Sequence, residues 1–159
     1  MNNHTLKQYI AHMRDREYMS GIEREKSRVK ATGEVFTPTP LVQEILDKLD
    51  SSLFEDPTKT FLDPSCGDGQ FLSEVLIRKL EAGIDFADAL ATVYGVDLMP
   101  DNVSLCRERL LCGREDLRPV VERNIVCADA LEYHYRFDGD TRTVEDKQEE
   151  HMNNLFDFG

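Results

Sequence analysis

Residues 60–72 read TFLDPSCGDGQFL, and this stretch decides the fold. Its first three residues, from Thr60 to Leu62, are β-prone, and we interpret them as a buried strand that ends at Asp63. Gly67 and Gly69 allow a sharp backbone turn directly afterwards. Apolar residues then return at helical spacing until Gly83. A strand, a glycine loop and a helix in this order are typical of the opening unit of a nucleotide-binding α/β domain.

The same alternation continues downstream of this unit. Residues 92–96 predict a second strand that ends at Asp97, and residues 124–127 predict a third that leads into Asp129. Helical patterns lie between the strands, including a short helix over residues 86–90. A βαβαβ order requires parallel strands with right-handed crossovers. The sequence therefore predicts an α/β fold with a Rossmann-like parallel half-sheet.

The flanking segments differ from this centre in composition. Residues 1–32 are polar and locally basic, and they predict one or two helices that precede the sheet. Thr39 is expected to cap the next helix, which has Pro40 in its first turn. We divide the chain into an N-terminal helical segment (1–32), a central domain (33–135) and an acidic tail (136–159). The tail is expected to be mobile over residues 138–150, with a fourth strand possible at its end.

The net charge, the apolar stretches and the cysteine spacing limit the functions that the chain is expected to have. The net charge of −12 repels phosphate, so the chain alone is expected to bind DNA only weakly or through a partner subunit. No apolar stretch reaches the length of a membrane span, and no signal peptide is evident, which indicates a cytoplasmic protein. The four cysteines have neither zinc nor disulfide spacing. Cys106 and Cys127 suit the core, whereas Cys66 in the glycine loop is the one expected to be exposed.

Three aspartates end or follow the three predicted strands. Because parallel strands bring their carboxyl ends to one sheet edge, Asp63, Asp97 and Asp129 should meet there. Asp97 is placed to accept hydrogen bonds from ribose hydroxyls, and Asp129 to meet an adenine edge. A dinucleotide pyrophosphate is disfavoured because Asp63 and Asp68 flank the loop. Acids at that position suit the cationic sulfonium and amino group of S-adenosylmethionine.

Four sequence elements resemble the N6-adenine DNA methyltransferase family. Residues 61–72 resemble its first motif, commonly D-P-x-C-G-x-G-x-F, and residues 32–38 resemble the G-x-F-x-T-P segment found in type I and related restriction-modification methylases. Residues 94–98 and 127–131 resemble the second and third motifs. The resemblance implies S-adenosylmethionine as cofactor. The implied cofactor-binding residues are Phe36, Thr37, Asp63, Ser65, Gly67, Gly69, Phe71, Asp97, Leu98, Asp129 and Ala130, of which Phe71 also suits the core.

The family's catalytic motif, Asn/Asp-Pro-Pro-Tyr/Phe, does not occur in the 159 residues. Three hypotheses follow. The first is a truncated or degenerate adenine methyltransferase from a restriction-modification, phage or other mobile-element setting, inactive alone. The second is a non-catalytic binding module that pairs with a second methylase chain. The third is a methyltransferase for another substrate, with catalytic groups drawn from Tyr133, His134 and Tyr135.

Overall fold

A computed structural model describes residues 1–15 and 37–139, together with Asp146, Gln148, Glu149 and residues 151–153. The two continuous ranges contain helices and three short strands. They are α1 (Asn3–Arg14), α2 (Thr39–Leu46), α3 (Ser52–Glu55), β1 (Phe61–Asp63), α4 (Gln70–Glu81), α5 (Phe86–Ala91), β2 (Val93–Asp97), α6 (Pro100–Leu111), a 3-10 turn (Glu115–Leu117), α7 (Arg118–Asn124) and β3 (Ile125–Cys127).

The three strands form one parallel sheet in the order β1-β2-β3. Asp63 pairs in register with Gly95, and Asp97 pairs with Cys127, so the strands end at neighbouring positions. This confirms the predicted α/β fold with its parallel half-sheet. It also brings the loops that follow the strands to a single edge.

Helix α4 is the centre of the larger core. It contacts α1, α2, α3, α5, α6, β1 and β2, and it is buried on most of its circumference. Even Lys79 is fully buried, and its ammonium donates to the carbonyl oxygens of Asp56 and Lys59. Glu74 of the same helix is also buried and accepts two hydrogen bonds from Arg14. The helix that begins in the glycine loop is therefore held from all sides.

The opposite face of the sheet has a thinner cover. Val96 and Val126 point to this side and pack against Tyr133, with Tyr135 and Phe137 beside it. Leu62 of β1 remains 49% exposed. Tyr135 and Phe137 both adopt positive φ values, of 55° and 51°, in a region that non-glycine residues rarely occupy. A short aromatic segment is therefore the main cover of this face in the described residues.

The structure corrects several local predictions. The cap of α2 is Pro38, without a side-chain hydrogen bond, and Thr39 is already helical. The helix ends at Leu46, so Leu49 lies beyond it. Asn124 belongs to α7, a helix that the sequence pattern did not predict, because its seven residues contain few apolar positions. The continuation of the N-terminal helices to residue 30 and the strand proposed at the tail's end lie outside the described residues.

Cys66 is also a correction. It was expected to be exposed, but it is buried against Gly95, and its hydrogen bond with Cys106 together with burial raises the pKa of its thiol. Cys106 is buried as predicted, whereas Cys127 is only half-buried. The glycine at position 95 leaves the space that the Cys66 side chain fills. Cys66 therefore packs inside the protein as a neutral thiol.

Among the described residues, no helix is both long enough and apolar enough to cross a membrane.

Candidate functional site

A cleft of about 670 Å³ opens at the carboxyl ends of the three strands. Its walls come from the loop after β1, the loop between β2 and α6, and the loop after β3, and Thr37 closes one side. The volume lies within the range of small-molecule and cofactor sites. The cleft therefore results from the arrangement of the strands, because each of the three loops directly follows a strand.

The first wall is a tight turn between β1 and α4. Gly67 and Gly69 have φ values of 54° and 91°, which favour glycine. The amide of Cys66 donates to the carbonyl oxygen of Val96 at 3.0 Å, which ties the loop to the neighbouring strand. A Cβ atom at Gly69 would lie 2.8 Å from the Cys106 sulfur, so only glycine lets the loop approach α6 this closely.

Asp97 at the end of β2 organises the middle of the cleft. Its Oδ2 accepts the Gly67 amide at 3.0 Å, which connects it to the first wall. Its Oδ1 accepts the Met99 amide at 2.9 Å and the Asn102 side-chain amide at 3.2 Å. These three donors fix the carboxylate in one orientation. Since an ionised carboxylate has about four acceptor positions, it retains capacity for a ligand hydroxyl.

The surroundings of Asp63, at the end of β1, disfavour the charged form of its carboxylate. Burial raises its pKa, and the nearby negative charge of Asp97 raises it further, while the amide of Ser65, which donates at 3.0 Å, acts in the opposite direction. A positively charged ligand group beside Asp63 would relieve both causes. The cleft is therefore electrostatically suited to a cation.

The third wall begins where β3 ends. The Asp129 carboxylate accepts the Leu131 amide at 2.9 Å, and the Ala128 amide donates to the carbonyl oxygen of Asp97 at 3.1 Å. Leu131 is 95% exposed, and Leu98, which also lines the cleft, is 58% exposed. Two leucines at the rim of an acidic cleft offer an apolar surface to a flat ring.

Most residues singled out in the sequence meet in this cleft. Gly69 does not line it and lies instead against α6, and Phe36 is outside the described residues. The residues that line it as expected are Thr37, Asp63, Ser65, Gly67, Phe71, Asp97, Leu98, Asp129 and Ala130. Phe71 is also partly buried against the core.

Sequence reasoning missed several lining residues, among them Asp68, Gln70, Met99, Asn102 and Leu131. The role of Asn102 could have been inferred from its position. It lies in the first turn of a helix, five residues after Asp97 at the end of a strand, and a side chain there can reach that acid. Asp68 was noted only as a negative charge flanking the loop. Leu131 gave no signal beyond its proximity to Asp129.

The aromatic segment after β3 has a packing role. Tyr133 is buried, and its hydroxyl oxygen accepts the Phe137 amide at 2.9 Å. The Tyr135 hydroxyl donates to the carbonyl oxygen of Ala130 at 2.6 Å. The rings of Tyr133, Tyr135 and Phe137 contact one another, and neither tyrosine lines the cleft. His134 does not line the cleft either.

A cleft at the carboxyl edge of a parallel sheet is the place where open α/β proteins bind their ligands. A comparison with protein-family models matches the N-6 DNA Methylase family over residues 21–139, which is more than half of the chain. The chain therefore belongs to the N-6 DNA methylase family, and this membership implies S-adenosylmethionine as cofactor and DNA as substrate. Searches of curated proteins and of solved structures found no match.

Proposed function

We propose that the cleft binds S-adenosylmethionine and that the chain is the cofactor-binding part of an N6-adenine DNA methyltransferase, with the site in residues 33–135. The observation that carries this proposal is the convergence of Asp63, Asp97 and Asp129 with the glycine loop in one cleft. Family membership supports the same reading.

The residues of the cleft fit the cofactor in size and chemistry. Asp97, held by three donors, is suited to accept hydrogen bonds from the ribose hydroxyls. Asp129 and the backbone of Ala130 are suited to the adenine edge, with Leu98 against the ring face. Asp63 and Thr37 would hold the cationic methionine end. When bound, the cofactor supplies a methyl group made electrophilic by the adjacent sulfonium.

Asp63 has a specific electrostatic role in this arrangement. Its carboxylate is buried near Asp97, and a sulfonium or ammonium group would compensate that charge. The demethylated product keeps the amino group but has a neutral thioether. The cleft should therefore hold the cofactor more tightly than the product.

The 159 residues alone are proposed not to methylate DNA. Transfer to adenine requires the base to leave the duplex and its amine to be held against the methyl group. The motif that performs this in the family is absent from the sequence, and the net charge of −12 opposes DNA approach. The base-holding groups would come from another polypeptide segment or from a second methylase chain. A restriction-modification or mobile-element setting and a cytoplasmic location stay predictions from the sequence.

Photolabelling tests the cofactor site. The protein is irradiated with S-adenosylmethionine tritiated in the methyl group, digested and mapped by mass spectrometry. Label is expected in peptides that contain residues 63–71, 97–102 or 128–131, and excess unlabelled product should prevent it. Label confined to peptides outside the cleft, or insensitive to competitor, would contradict the proposal.

A methylation assay tests activity. Purified protein is incubated with tritiated cofactor and mixed-sequence DNA, with and without the proteins encoded beside it. No label in adenine is expected from the chain alone. Label from the chain alone would contradict the proposed dependence on other groups, whereas label that appears only with a neighbour would identify a split enzyme. Failure of every neighbour, with cofactor binding intact, would favour the binding-module hypothesis.

A further inference from the structure

The peptide group that joins Ala130 to Leu131, in the third wall of the cleft, is held at both ends. Its N–H, from Leu131, donates to Oδ1 of Asp129 at 2.9 Å, and its carbonyl oxygen, from Ala130, accepts the Tyr135 hydroxyl at 2.6 Å. Both lengths are ordinary for their atom types. Because a peptide group is planar, a rotation that moves its carbonyl oxygen also moves its N–H. The Tyr135 hydroxyl therefore restrains the amide that holds the Asp129 carboxylate.

The orientation of the Asp129 carboxylate matters because this residue lines the cleft and is exposed. An exposed side chain that must adopt one orientation to bind a ligand loses rotamer freedom, and this loss opposes binding. The bond from the Leu131 amide restricts the carboxylate before a ligand arrives. Since a carboxylate has about four acceptor positions, it can still accept a hydrogen bond from a ligand amine.

Tyr135 is itself held by the aromatic segment behind the wall. The centroid of its ring lies 5.2 Å from that of Tyr133 and 6.2 Å from that of Phe137. Its φ of 55° is uncommon for a residue with a large side chain, and such a conformation persists where surrounding contacts hold it. Ring packing thus places the hydroxyl, and the hydroxyl orients one peptide group of the wall.

We propose that Tyr135 is a positioning residue for recognition of the adenine 6-amino group, acting through the peptide group after Ala130 and through the Asp129 carboxylate. This inference rests on the proposed function, which assigns Asp129 to the adenine edge. The 6-amino group donates to the carboxylate, whereas a purine without it offers no donor at this position. Tyr135 therefore contributes to selection of the base from behind the wall, since its side chain does not line the cleft.

Two ligands that differ only in this amino group test the inference. They are S-adenosylhomocysteine and its purine analogue, in which a hydrogen atom replaces the 6-amino group. Dissociation constants for both are measured by calorimetry on the full chain and its variants. The unsubstituted protein should prefer the adenosyl ligand at least about tenfold, because the amino group donates to a charged acceptor. In Tyr135→Phe this preference should fall at least about threefold, mainly through weaker binding of the adenosyl ligand.

Asp129→Asn tests the route by which Tyr135 acts. The substitution removes the charged acceptor and should abolish most of the preference for the amino group. When Tyr135→Phe is added to Asp129→Asn, the preference should change by less than about twofold, because residues that act through one another are not additive. A further fall as large as that in Tyr135→Phe alone would contradict this route.

Tyr135→Phe is expected to fold because it keeps the ring. The turn also keeps the bonds from the amides of Glu132 and Tyr133 to the carbonyl oxygen of Asp129. If the variant does not fold, Asp129→Asn still carries the test, since an unchanged preference there would overturn the inference at the residue through which Tyr135 acts.

Tyr94→Phe is the matched control. Tyr94 of β2 belongs to the same aromatic cover, with its ring centroid 4.7 Å from that of Phe137, and its side chain does not line the cleft. The substitution removes the same atom from a neighbouring ring. It should leave the preference within about twofold of that of the unsubstituted protein.

A merely structural role for Tyr135 would weaken both ligands by the same factor, and equal weakening would overturn the inference. Unchanged affinities in Tyr135→Phe, or an equal fall of the preference in Tyr94→Phe, would also overturn it. If the unsubstituted protein binds neither ligand, the proposed function fails, and the inference fails with it. Binding of both ligands without a preference would leave the cofactor site in place and overturn only the role of Tyr135.

Discussion

The two outer walls of the cleft are built in different ways. The wall after β1 is fixed by contacts from residues far away in sequence, including Arg109, Cys106 and Asp97. The wall after β3 has a backbone bond to the end of β2, from the Ala128 amide to the carbonyl oxygen of Asp97, and it is also held by bonds within a few residues, such as that between Tyr135 and Ala130, and by ring contacts. Side-chain contacts from distant residues therefore fix the first wall, while local bonds and aromatic packing contribute more to the third wall.

This difference predicts unequal tolerance to substitution. At Gly69 of the first wall, an added side chain must displace a packed neighbour on α6. A residue of the third wall that loses one bond can keep its ring contacts. Substitution of Gly69 in the first wall should therefore lower the free energy of unfolding more than loss of one bond in the third wall.

Gly69→Ala is expected to have the largest effect. Its φ of 91° is unfavourable for alanine, and the new Cβ would lie 2.8 Å from the Cys106 sulfur. Strain and overpacking together should lower the free energy of unfolding by about 2–4 kcal/mol. Gly83→Ala is the control, since Gly83 has the same φ of 91° but open space around it. There, urea unfolding should show a loss of only about 1 kcal/mol, and equal losses would refute the role of the Cys106 contact.

Tyr135→Phe tests the support of the third wall. The substitution removes the 2.6 Å hydrogen bond to the carbonyl oxygen of Ala130 but keeps the ring. Urea unfolding should show a loss of about 1 kcal/mol. A loss as large as that of Gly69→Ala would mean that the hydroxyl, rather than ring packing, determines the position of this wall.

Asp63→Asn is expected to have the smallest effect, with a defined sign. The folded protein raises the pKa of Asp63 above its ordinary value of 3.8, mainly through burial. The folded state therefore binds this proton more tightly than the unfolded state, and ionisation of Asp63 costs stability as pH rises through the raised pKa. The asparagine variant should be more stable than the unsubstituted protein at pH 7, with a difference that shrinks towards pH 4.

Asp56→Asn is the control of opposite sign. Hydrogen bonds from the side chain and backbone of Thr58 lower the pKa of Asp56, so its charge is favoured by folding. The asparagine variant should be no more stable than the unsubstituted protein at pH 7. A gain in both variants would indicate a general effect of net charge rather than the burial of Asp63.

The strand ends and their acids could be predicted because they follow from local patterns. A β-prone run, a glycine pair and an amphipathic helix define the unit around Asp63, and parallel pairing then brings Asp97 and Asp129 to the same edge. The resemblance to the methyltransferase family supported S-adenosylmethionine as the expected cofactor. The predicted acids line the cleft because the strand register leaves no other edge for them.

Long-range pairs could not be predicted in the same way. Arg109 stands in a helical stripe with Cys106, but the pattern does not show that its partner is Asp68, 41 residues earlier. Cys66 of the glycine loop can be buried because Gly95, on β2, has no side chain. Such contacts depend on how elements pack together, and a pattern within one element carries no information about them.

The most direct test of the central claim is the affinity of the cofactor for the protein with and without the Asp97 carboxylate. Calorimetry should show S-adenosylmethionine binding to the unsubstituted chain. Asp97→Ala should weaken it by roughly 1.5–3 kcal/mol, because charge-assisted hydrogen bonds to the ribose are lost. Asp88→Ala, which removes an exposed acid on α5, should leave binding unchanged. Binding that is absent from the unsubstituted protein, or unaltered in Asp97→Ala, would contradict the assignment of the cleft as the cofactor site.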